Sequence, residues 1–460
     1  MFLGQSLVSI VDLINKKKID GKEVVKYFLK RIEKYNSKLK AYLTVNKSYK
    51  TNKSDKLVPI AVKDNFCTKG IRTTASSKLL ENFIPPYEST VTKRLIDADS
   101  FILGKTNMDA WAHGSSTETS DFGSTKNPWD LTRSPGGSSG GSAAVVSSYL
   151  APAAIGSETA GSIRQPAAWS GVIGLKPTYG RVSRYGLIAM GSSLDCPGPL
   201  TLTTEDAAFI LQIIAGHDKF DATTVYKKIP NYVFKIKEKK KFVIGVTDEY
   251  LEGVDEEIKE AFYQLIKILK KLGHEIKKIK LLPPKYAISV YTIIQRAEVS
   301  SNLARYDGIR YANNRTFFGS EAKRRIMLGT YVLSYGYYDA YYKKAQKVRT
   351  LIIEDFKKVF KEVDMILAPT TPITALKLGE FEKYPFFGEM MDVLNEPAAI
   401  AGLCAINFPF GLTKKNNLPI GLQLIGRWFE EENILNLTSQ IEKETDFLGV
   451  IEKGLKNYPD

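Results

Sequence analysis

The residues of this sequence that are best suited to chemistry lie in two glycine- and serine-rich clusters, at 135–142 and 156–166. Each cluster surrounds a hydroxyl with small residues, Ser138 in the first and Ser162 in the second. Glycine opens backbone conformations that other residues avoid and lets a substrate approach the chain closely. Successive N–H groups in such loops can converge on developing negative charge. An oxyanion hole beside a nucleophilic serine is one use of this arrangement.

Glycine-rich segments can also hold phosphate, but the patterns of nucleotide-binding loops are missing here. Neither the P-loop motif nor the dinucleotide fingerprint with its downstream acid occurs in the chain, so nucleotide binding is disfavoured. Either cluster alone is more often an ordinary loop than a catalytic one. The case for chemistry therefore depends on the combination of the two clusters with a suitable base.

A serine nucleophile needs a group that takes its proton, and histidine is the usual one. The chain has three histidines, His113, His217 and His274. The last two lie in predicted turns and are expected at the surface, whereas His113 is expected to be a structural residue with satisfied hydrogen bonds. Lysine is the remaining choice, and it must be buried so that its ammonium form is destabilised. Lys63 follows an apolar run and fits that need, although its own context, taken alone, favours a solvated side chain.

Short strands are predicted to position these residues. Residues 57–62 form an apolar run of strand type that ends at Lys63 and Asp64. Residues 104–199 are dense in Gly, Ser, Thr and Pro, but the apolar runs among them predict ordered backbone and not a linker. Further buried strands are predicted at 242–246, 365–367 and 421–425.

Helical patterns alternate with these strands. Asp20 and Glu23 form a capping-box pattern before apolar residues at helical spacing, and we predict two helices before residue 37. Apolar positions at helical spacing within 258–269 predict another helix that stops at Gly273. The alternation of strand and helix predicts an α/β fold.

The composition is that of a soluble enzyme with a large core. Of 460 residues, 43% are hydrophobic, yet no apolar run reaches the roughly 20 residues of a membrane-spanning helix. The first residues lack an export signal, and three widely spaced cysteines fit neither a disulfide framework nor a zinc site, so we expect a cytoplasmic protein. The net charge of +15 could attract nucleic acid, but the lysines are spread over predicted helix faces, such as 277–280, without interleaved aromatics.

From Lys63 to Gly174 the sequence resembles the amidase signature family, whose members use a triad of serine, a second serine preceded by a cis peptide bond, and lysine. The nucleophile of that family is the serine of a Gly-Ser-Ile-Arg-Gln-Pro segment, which matches Ser162. The bridging serine matches Ser138 at the spacing that the family requires, and the lysine that precedes an aspartate matches Lys63.

The resemblance is closer still to one branch, the A subunits of glutamyl-tRNA(Gln) amidotransferases. In that branch a tyrosine, an arginine and an aspartate hold the α-amino and α-carboxylate groups of glutamine, and they match Tyr291, Arg325 and Asp392. An arginine fork suits a carboxylate and an aspartate suits an ammonium, so the three would select a free amino acid. The segments that resemble this branch cover nearly the whole chain: 114–120, 126–130, 174–186, 298–308, 323–329, 336–342 and 421–426.

The fold implied by the resemblance is one amidase domain over 1–460, with a large mixed sheet covered by helices. It comprises an N-terminal helical segment (1–55), the amidase signature core (56–220) and a C-terminal part (221–460) that holds the glutamine-binding residues.

The reaction implied is glutamine hydrolysis by Ser162, with the N–H groups of Thr159, Ala160 and Gly161 as the oxyanion hole. The ammonia passes to the partner B and C subunits, where ATP and magnesium activate Glu-tRNA(Gln). The tRNA is bound mainly by the partner subunit, and no cofactor or metal is expected in this chain.

Two departures from the family pattern leave alternatives open. The family usually has Asp-Thr-Gly-Gly-Ser where this chain has Glu158, Thr159, Ala160, Gly161 and Ser162. If the position of Ala160 needs a positive φ, the loop is strained by about 1 to 3 kcal/mol. The segment 311–320 is also shorter than usual for the branch. The alternatives are a free-standing amidase for another small amide, a catalytically weakened scaffold subunit, and a basic RNA-binding module.

Overall fold

The computed structural model describes residues 2–51, 56–311, 313–383, 387–445 and 447–460. The boundary proposed at residue 55 for the N-terminal segment therefore lies outside the described residues. The strands are β1 (Tyr42–Val45), β2 (Val58–Lys63), β3 (Ser100–Thr106), β4 (Ala153–Glu158), β5 (Ile173–Lys176), β6 (Cys196–Thr201), β7 (Val243–Val246), β8 (Glu275–Lys278), β9 (Met365–Pro369), β10 (Cys404–Leu412) and β11 (Pro419–Gly426).

The helices precede, connect and follow these strands. They are α1 (Leu7–Asn15), α2 (Gly21–Leu39), α3 (Thr90–Asp97), α4 (Gly140–Ser147), α5 (Arg164–Ser170), α6 (Thr204–Ile214), α7 (Tyr232–Lys235), α8 (Glu256–Lys271), α9 (Lys285–Leu303), α10 (Ser320–Leu333), α11 (Lys344–Val359), α12 (Phe387–Met391), α13 (Glu396–Ile400), α14 (Glu431–Glu444) and α15 (Phe447–Leu455).

All the strands belong to one mixed sheet of eleven, in the order β1-β3-β2-β4-β6-β5-β10-β11-β9-β7-β8. Strand β2 pairs in parallel with β3 and β4, and β7 pairs in parallel with β8 and β9. From β4 to β9 in the order of the sheet, adjacent strands are antiparallel. In the middle of the sheet β5 pairs with β10, with Lys176 opposite Ala405. The sheet is therefore continuous across the two halves of the chain.

Both faces of the sheet are covered. On β9 the side chains of Met365 and Leu367 join one apolar cluster, and those of Ile366 and Ala368 join another. Successive side chains of a strand point to opposite faces, so each face of the sheet has its own core. The prediction of an α/β domain with a large mixed sheet covered by helices is confirmed.

The predicted elements are present, with small shifts of their ends. The predicted strands correspond to β2, β7, β9 and β11, and the helices before residue 37 are α1 and α2. The Asp20 side chain caps α2 by accepting a hydrogen bond from the backbone N–H of Lys22 at 2.8 Å. Helix α8 ends two residues before Gly273, which has a φ of 83°.

Two expectations about surface residues are wrong. His274 is buried, because the turn at Gly273 leads directly into β8 and brings the imidazole against Phe242, whose backbone N–H donates to Nδ1 at 3.2 Å. The lysines at 277–280 lie on β8 and just after it, and not on a helix.

Candidate active site

Lys63 is the last residue of β2, which is buried along its whole length between β3 and β4. The lysine is fully buried, and its Nζ lies 2.8 Å from Ser138 Oγ and 3.0 Å from the carbonyl oxygen of Ser157. Burial lowers the pKa of Lys63 to about 7, although the carboxylates of Asp109 and Asp195 oppose this shift. A neutral amine at this position can accept the hydroxyl proton of Ser138.

Ser138 lies in the loop that leads into α4, and the Gly137–Ser138 peptide bond is cis, as the family resemblance implies. A side chain at Gly137 has no room, because a Cβ there would lie 2.0 Å from Asp109 Oδ2. The next residue, Ser139, donates its backbone N–H to the carbonyl oxygen of Ser162 at 3.1 Å. The two glycine-serine clusters therefore contact each other directly.

The segment 159–162 connects β4 to α5 and is held by the carboxylate of Glu158. That carboxylate accepts hydrogen bonds from the backbone N–H groups of Ile163 at 3.1 Å and of Arg164 at 3.2 Å. It also pairs with the Arg164 guanidinium, whose Nε lies 2.9 Å away, and both side chains are fully buried. The longer acid found here in place of aspartate thus forms a complete set of contacts.

The backbone N–H groups of residues 159–162 donate no hydrogen bond to any described residue, which leaves them able to bind an oxyanion. Ala160 has a negative φ, and its buried methyl group packs in an apolar cluster, so the strain that we considered at this position is absent. Gly161 is the position that requires glycine, because a Cβ there would lie 2.0 Å from Asp392 Oδ1.

Ser162 and all three predicted substrate-binding residues, Tyr291, Arg325 and Asp392, line one cavity. The Tyr291 hydroxyl lies 3.0 Å from Thr159 Oγ1. This contact connects α9 to the segment 159–162, which we call the nucleophile loop. Burial raises the pKa of Tyr291 above its usual range, so the phenol stays protonated.

The charged groups of this cavity are held in place by neighbouring side chains. Arg325 Nε donates to Glu321 Oε1 at 2.6 Å, one turn earlier on α10. Asp392 Oδ2 accepts a hydrogen bond from Ser115 Oγ at 2.8 Å, whereas its Oδ1 has no partner among the described residues. Burial raises the pKa of Asp392 to about 8. A cation, an ionisable carboxyl and a serine hydroxyl therefore line the same cavity.

A larger cavity of about 580 Å³ adjoins this one and shares Ser115, Arg325 and Glu389 with it. His113 lines the larger cavity, and its burial and the nearby Arg325 lower its pKa well below the usual range. Contrary to our expectation, neither of its ring nitrogens has a hydrogen-bond partner in the described part of the chain. We find His113 neutral, facing the cavity and separate from the serines.

The shortened segment 311–320 lies beside the larger cavity, and its residue 312 is outside the described residues. The Tyr311 ring contacts Tyr306 at 5.0 Å, and the Phe318 ring contacts Trp111 at 5.3 Å. The segment then enters α10, which carries Arg325. Aromatic packing thus holds the segment that precedes α10.

Sequence reasoning missed several residues of the site, namely Ser115, Arg296, Glu389 and Glu396. Arg296 donates to Glu389 Oε1 at 2.7 Å, and Glu389 and Glu396 line the cavity of Ser162. Ser115 belongs to a segment that the resemblance had singled out without assigning it a role. Nothing in the sequence around Glu389 and Glu396 marks them as site residues, because only tertiary packing brings them to the cavity of Ser162.

Within the described ranges, no group of three or more His, Cys, Asp or Glu side chains is arranged to hold a metal ion. In the same ranges, no helix is both long enough and apolar enough to cross a membrane.

Comparisons with known proteins agree with this architecture. The family model described as Amidase matches residues 23–435. The A subunit of the glutamyl-tRNA(Gln) amidotransferase from Persephonella marina is 48% identical over 475 residues, covering 96% of this chain and 98% of the relative. Its counterpart from Halothermothrix orenii is 49% identical over 456 residues, covering 94% and 95%. A crystal structure of the counterpart from Thermotoga maritima has a TM-score of 0.84 at 41% identity and covers 96% of this chain and 95% of its own. This chain belongs to the amidase family.

Proposed function

We propose that this chain is the glutaminase subunit of a tRNA-dependent amidotransferase, which hydrolyses glutamine and supplies ammonia for the conversion of Glu-tRNA(Gln) to Gln-tRNA(Gln). The observation that carries the proposal is the single cavity in which Ser162 faces Tyr291, Arg325 and Asp392. These groups are complementary to a free amino acid, and the similarity to named A subunits supports glutamine as that amino acid.

In the proposed mechanism, Ser162 attacks the side-chain amide carbon of glutamine while its proton moves to Ser138 and the Ser138 proton moves to neutral Lys63. The N–H groups of Thr159, Ala160 and Gly161 bind the oxyanion. When the C–N bond breaks, the relay returns a proton to the leaving nitrogen, which departs as ammonia. Water then attacks the glutamyl ester through the same relay, releasing glutamate and restoring the hydroxyl.

Substrate selection follows from the charges of the cavity. Arg325 offers a planar fork to the α-carboxylate, and Asp392 offers a carboxylate to the α-ammonium. Tyr291 donates from its protonated hydroxyl. The contacts of Glu158 and the negative φ of Ala160 support an active subunit over a weakened scaffold.

The ammonia is used by partners, because the relatives are named as subunits of a larger enzyme. We assign the activation of Glu-tRNA(Gln) with ATP and magnesium to the B subunit, assembled with the C subunit, and we assign most tRNA contacts to that partner. The three cysteines of this chain are free and buried, which suits the reducing cytoplasm.

The test is glutamine-dependent ammonia release by this chain assembled with its B and C subunits. We expect release by the native complex and its loss, by at least about 100-fold, in the Ser162→Ala and Lys63→Ala variants. Absence of release from an intact native complex would contradict the proposal. A preference for amides that lack the α-amino and α-carboxylate groups would instead identify a free-standing amidase.

A further inference from the structure

The proposed mechanism leaves one buried acid in the cavity unused. Glu396, at the start of α13, is fully buried, and neither of its carboxyl oxygens has a partner among the described residues. It lines the same cavity as Ser162, Tyr291 and Asp392. A buried polar group without a partner is costly, so an unpaired carboxyl that faces a cavity indicates a ligand with hydrogen-bond donors.

Among the described residues, no cationic side chain pairs with the Glu396 carboxyl. The nearest acid on α12, Glu389, is already bound by Arg296 at 2.7 Å. Burial and the neighbouring carboxyls of Asp392 and Glu389 raise the pKa of Glu396 well above its usual range. Without a cation close by, burial therefore favours the protonated form of both Glu396 and Asp392. A cation is needed before either carboxyl ionises fully.

Asp392 has only one oxygen left for a ligand, because its Oδ2 is bound by Ser115. An ammonium group has three N–H donors, and a buried ammonium requires acceptors for them. Glu396 lines the same cavity, and both of its carboxyl oxygens lack a partner among the described residues. Arg325, which lines the same cavity and is held by Glu321, supplies the cation that a carboxylate needs.

We propose that Glu396 and Asp392 together bind the α-ammonium group of the substrate. This inference rests on the proposed function, in which the substrate is glutamine. When the zwitterion binds, one carboxyl of the pair releases its proton to solvent, so that one carboxylate faces the ammonium and the other carboxyl remains a neutral acceptor. Glu396 thereby contributes to the selection of an α-amino acid over an amide that has only a carboxylate.

The test measures ligand binding by calorimetry in a parent protein that carries Ser162→Ala, so that no turnover occurs. The parent is assembled with its partner subunits. Two ligands are compared: glutamine, and glutaramate, which has the same amide and carboxylate but no amino group. In the parent we expect glutamine to release protons to the buffer on binding and glutaramate to release none. This comparison shows whether an acid in the cavity loses its proton to the bound ammonium, and the variants at residue 396 show whether Glu396 takes part.

Glu396→Met removes both acceptors and keeps the side-chain length. We expect it to weaken glutamine binding by about tenfold or more while leaving glutaramate binding unchanged. Glu396→Gln retains one carbonyl acceptor and should fall between the parent and the methionine variant. Asp206→Asn is the matched control, since Asp206 is a buried acid on α6 that does not line the cavity.

The outcomes separate the inference from the proposed function. Unchanged glutamine affinity in Glu396→Met overturns the inference, and so does an equal loss for both ligands, which indicates a structural role. If the methionine variant does not fold, Glu396→Leu, which also lacks both acceptors, is measured in its place, and a selective loss for glutamine supports the inference while its absence overturns it. A folded parent that does not bind glutamine overturns the proposed function and the inference together.

Discussion

Lys63, the base that we propose, shows how burial changes the properties of a residue that is common at protein surfaces. Its position after an apolar run was readable from the sequence, but its partners were not, because Ser138 and Ser157 belong to segments distant along the chain. The structure supplies the missing contacts, at 2.8 Å and 3.0 Å from Nζ. Family resemblance linked Lys63 to Ser138, and periodicity alone would not have done so.

The lowered pKa of Lys63 predicts a pH dependence of the rate. The base must be neutral, so kcat at saturating glutamine should rise with pH through about 7 and then level off. Saturating substrate is used so that the pair of Asp392 and Glu396 has already released its proton to solvent. Lys63→Arg keeps the charge but cannot act as a base, so it should lose at least about 100-fold at every pH. A native rate that does not change between about pH 6 and pH 8 would contradict this role.

Ala160 and Gly161 are adjacent, but they differ in whether the structure has room for a side chain. Ala160→Gly should leave kcat within about twofold, because φ is already negative, and should lower the free energy of unfolding by about 0.5 to 1 kcal/mol. Gly161→Ala should raise KM by about tenfold or more, since the new Cβ displaces the Asp392 carboxyl. Gly319→Ala is the control, with its nearest contact at an ordinary 3.5 Å. A large gain of kcat in Ala160→Gly would show that the alanine does impair the site.

At the scale of elements, β4, the nucleophile loop and α5 form the unit that presents Ser162. The sequence predicted ordered backbone here, and the contacts of Glu158 with Ile163 and Arg164 explain why the glycine-rich chain is ordered. Pairing of β4 with β6 was not predictable, since register between distant strands depends on the whole sheet. The pairing of β8 with β7 was equally unpredictable. Because the burial of His274 depends on that pairing, the prediction that His274 lies at the surface was wrong.

The buried pair of Glu158 and Arg164 should stabilise this unit strongly. Glu158→Ala leaves a buried guanidinium without its carboxylate and should lower the free energy of unfolding by about 3 to 5 kcal/mol. The exposed pair of Glu354 and Lys357 on α11 provides the comparison, and Glu354→Ala should cost less than about 1 kcal/mol. Denaturant unfolding of both variants measures the difference, and equal losses would rule out a special role for the buried pair.

At the scale of the whole molecule, the site is assembled from both halves of the chain. Lys63 and Ser162 come from the first half, while Tyr291, Arg325 and Asp392 come from the second. The sheet is continuous between the halves through β5 and β10. The α/β class could be predicted from alternating patterns, but the strand order could not, because it depends on contacts between residues far apart in sequence.

A continuous sheet predicts that the halves do not fold separately. A fragment of residues 1–220 exposes the edge of β5 that β10 covers in the full chain, together with apolar side chains of the shared core. We expect this fragment to lack near-ultraviolet circular dichroism and a cooperative unfolding transition. Mixing it with residues 221–460 should restore both if the halves associate. A stably folded 1–220 fragment would contradict the single-domain description.

The proposed mechanism requires that Ser162 forms a glutamyl ester during glutamine hydrolysis. The most direct measurement is peptide mass spectrometry of the assembled complex, quenched in acid during turnover with isotopically labelled glutamine. The account predicts a labelled glutamyl group on the peptide that contains Ser162, and none in the Ser162→Ala variant. A turning-over enzyme that carries the label on another residue, or that retains its activity without Ser162, would contradict the account.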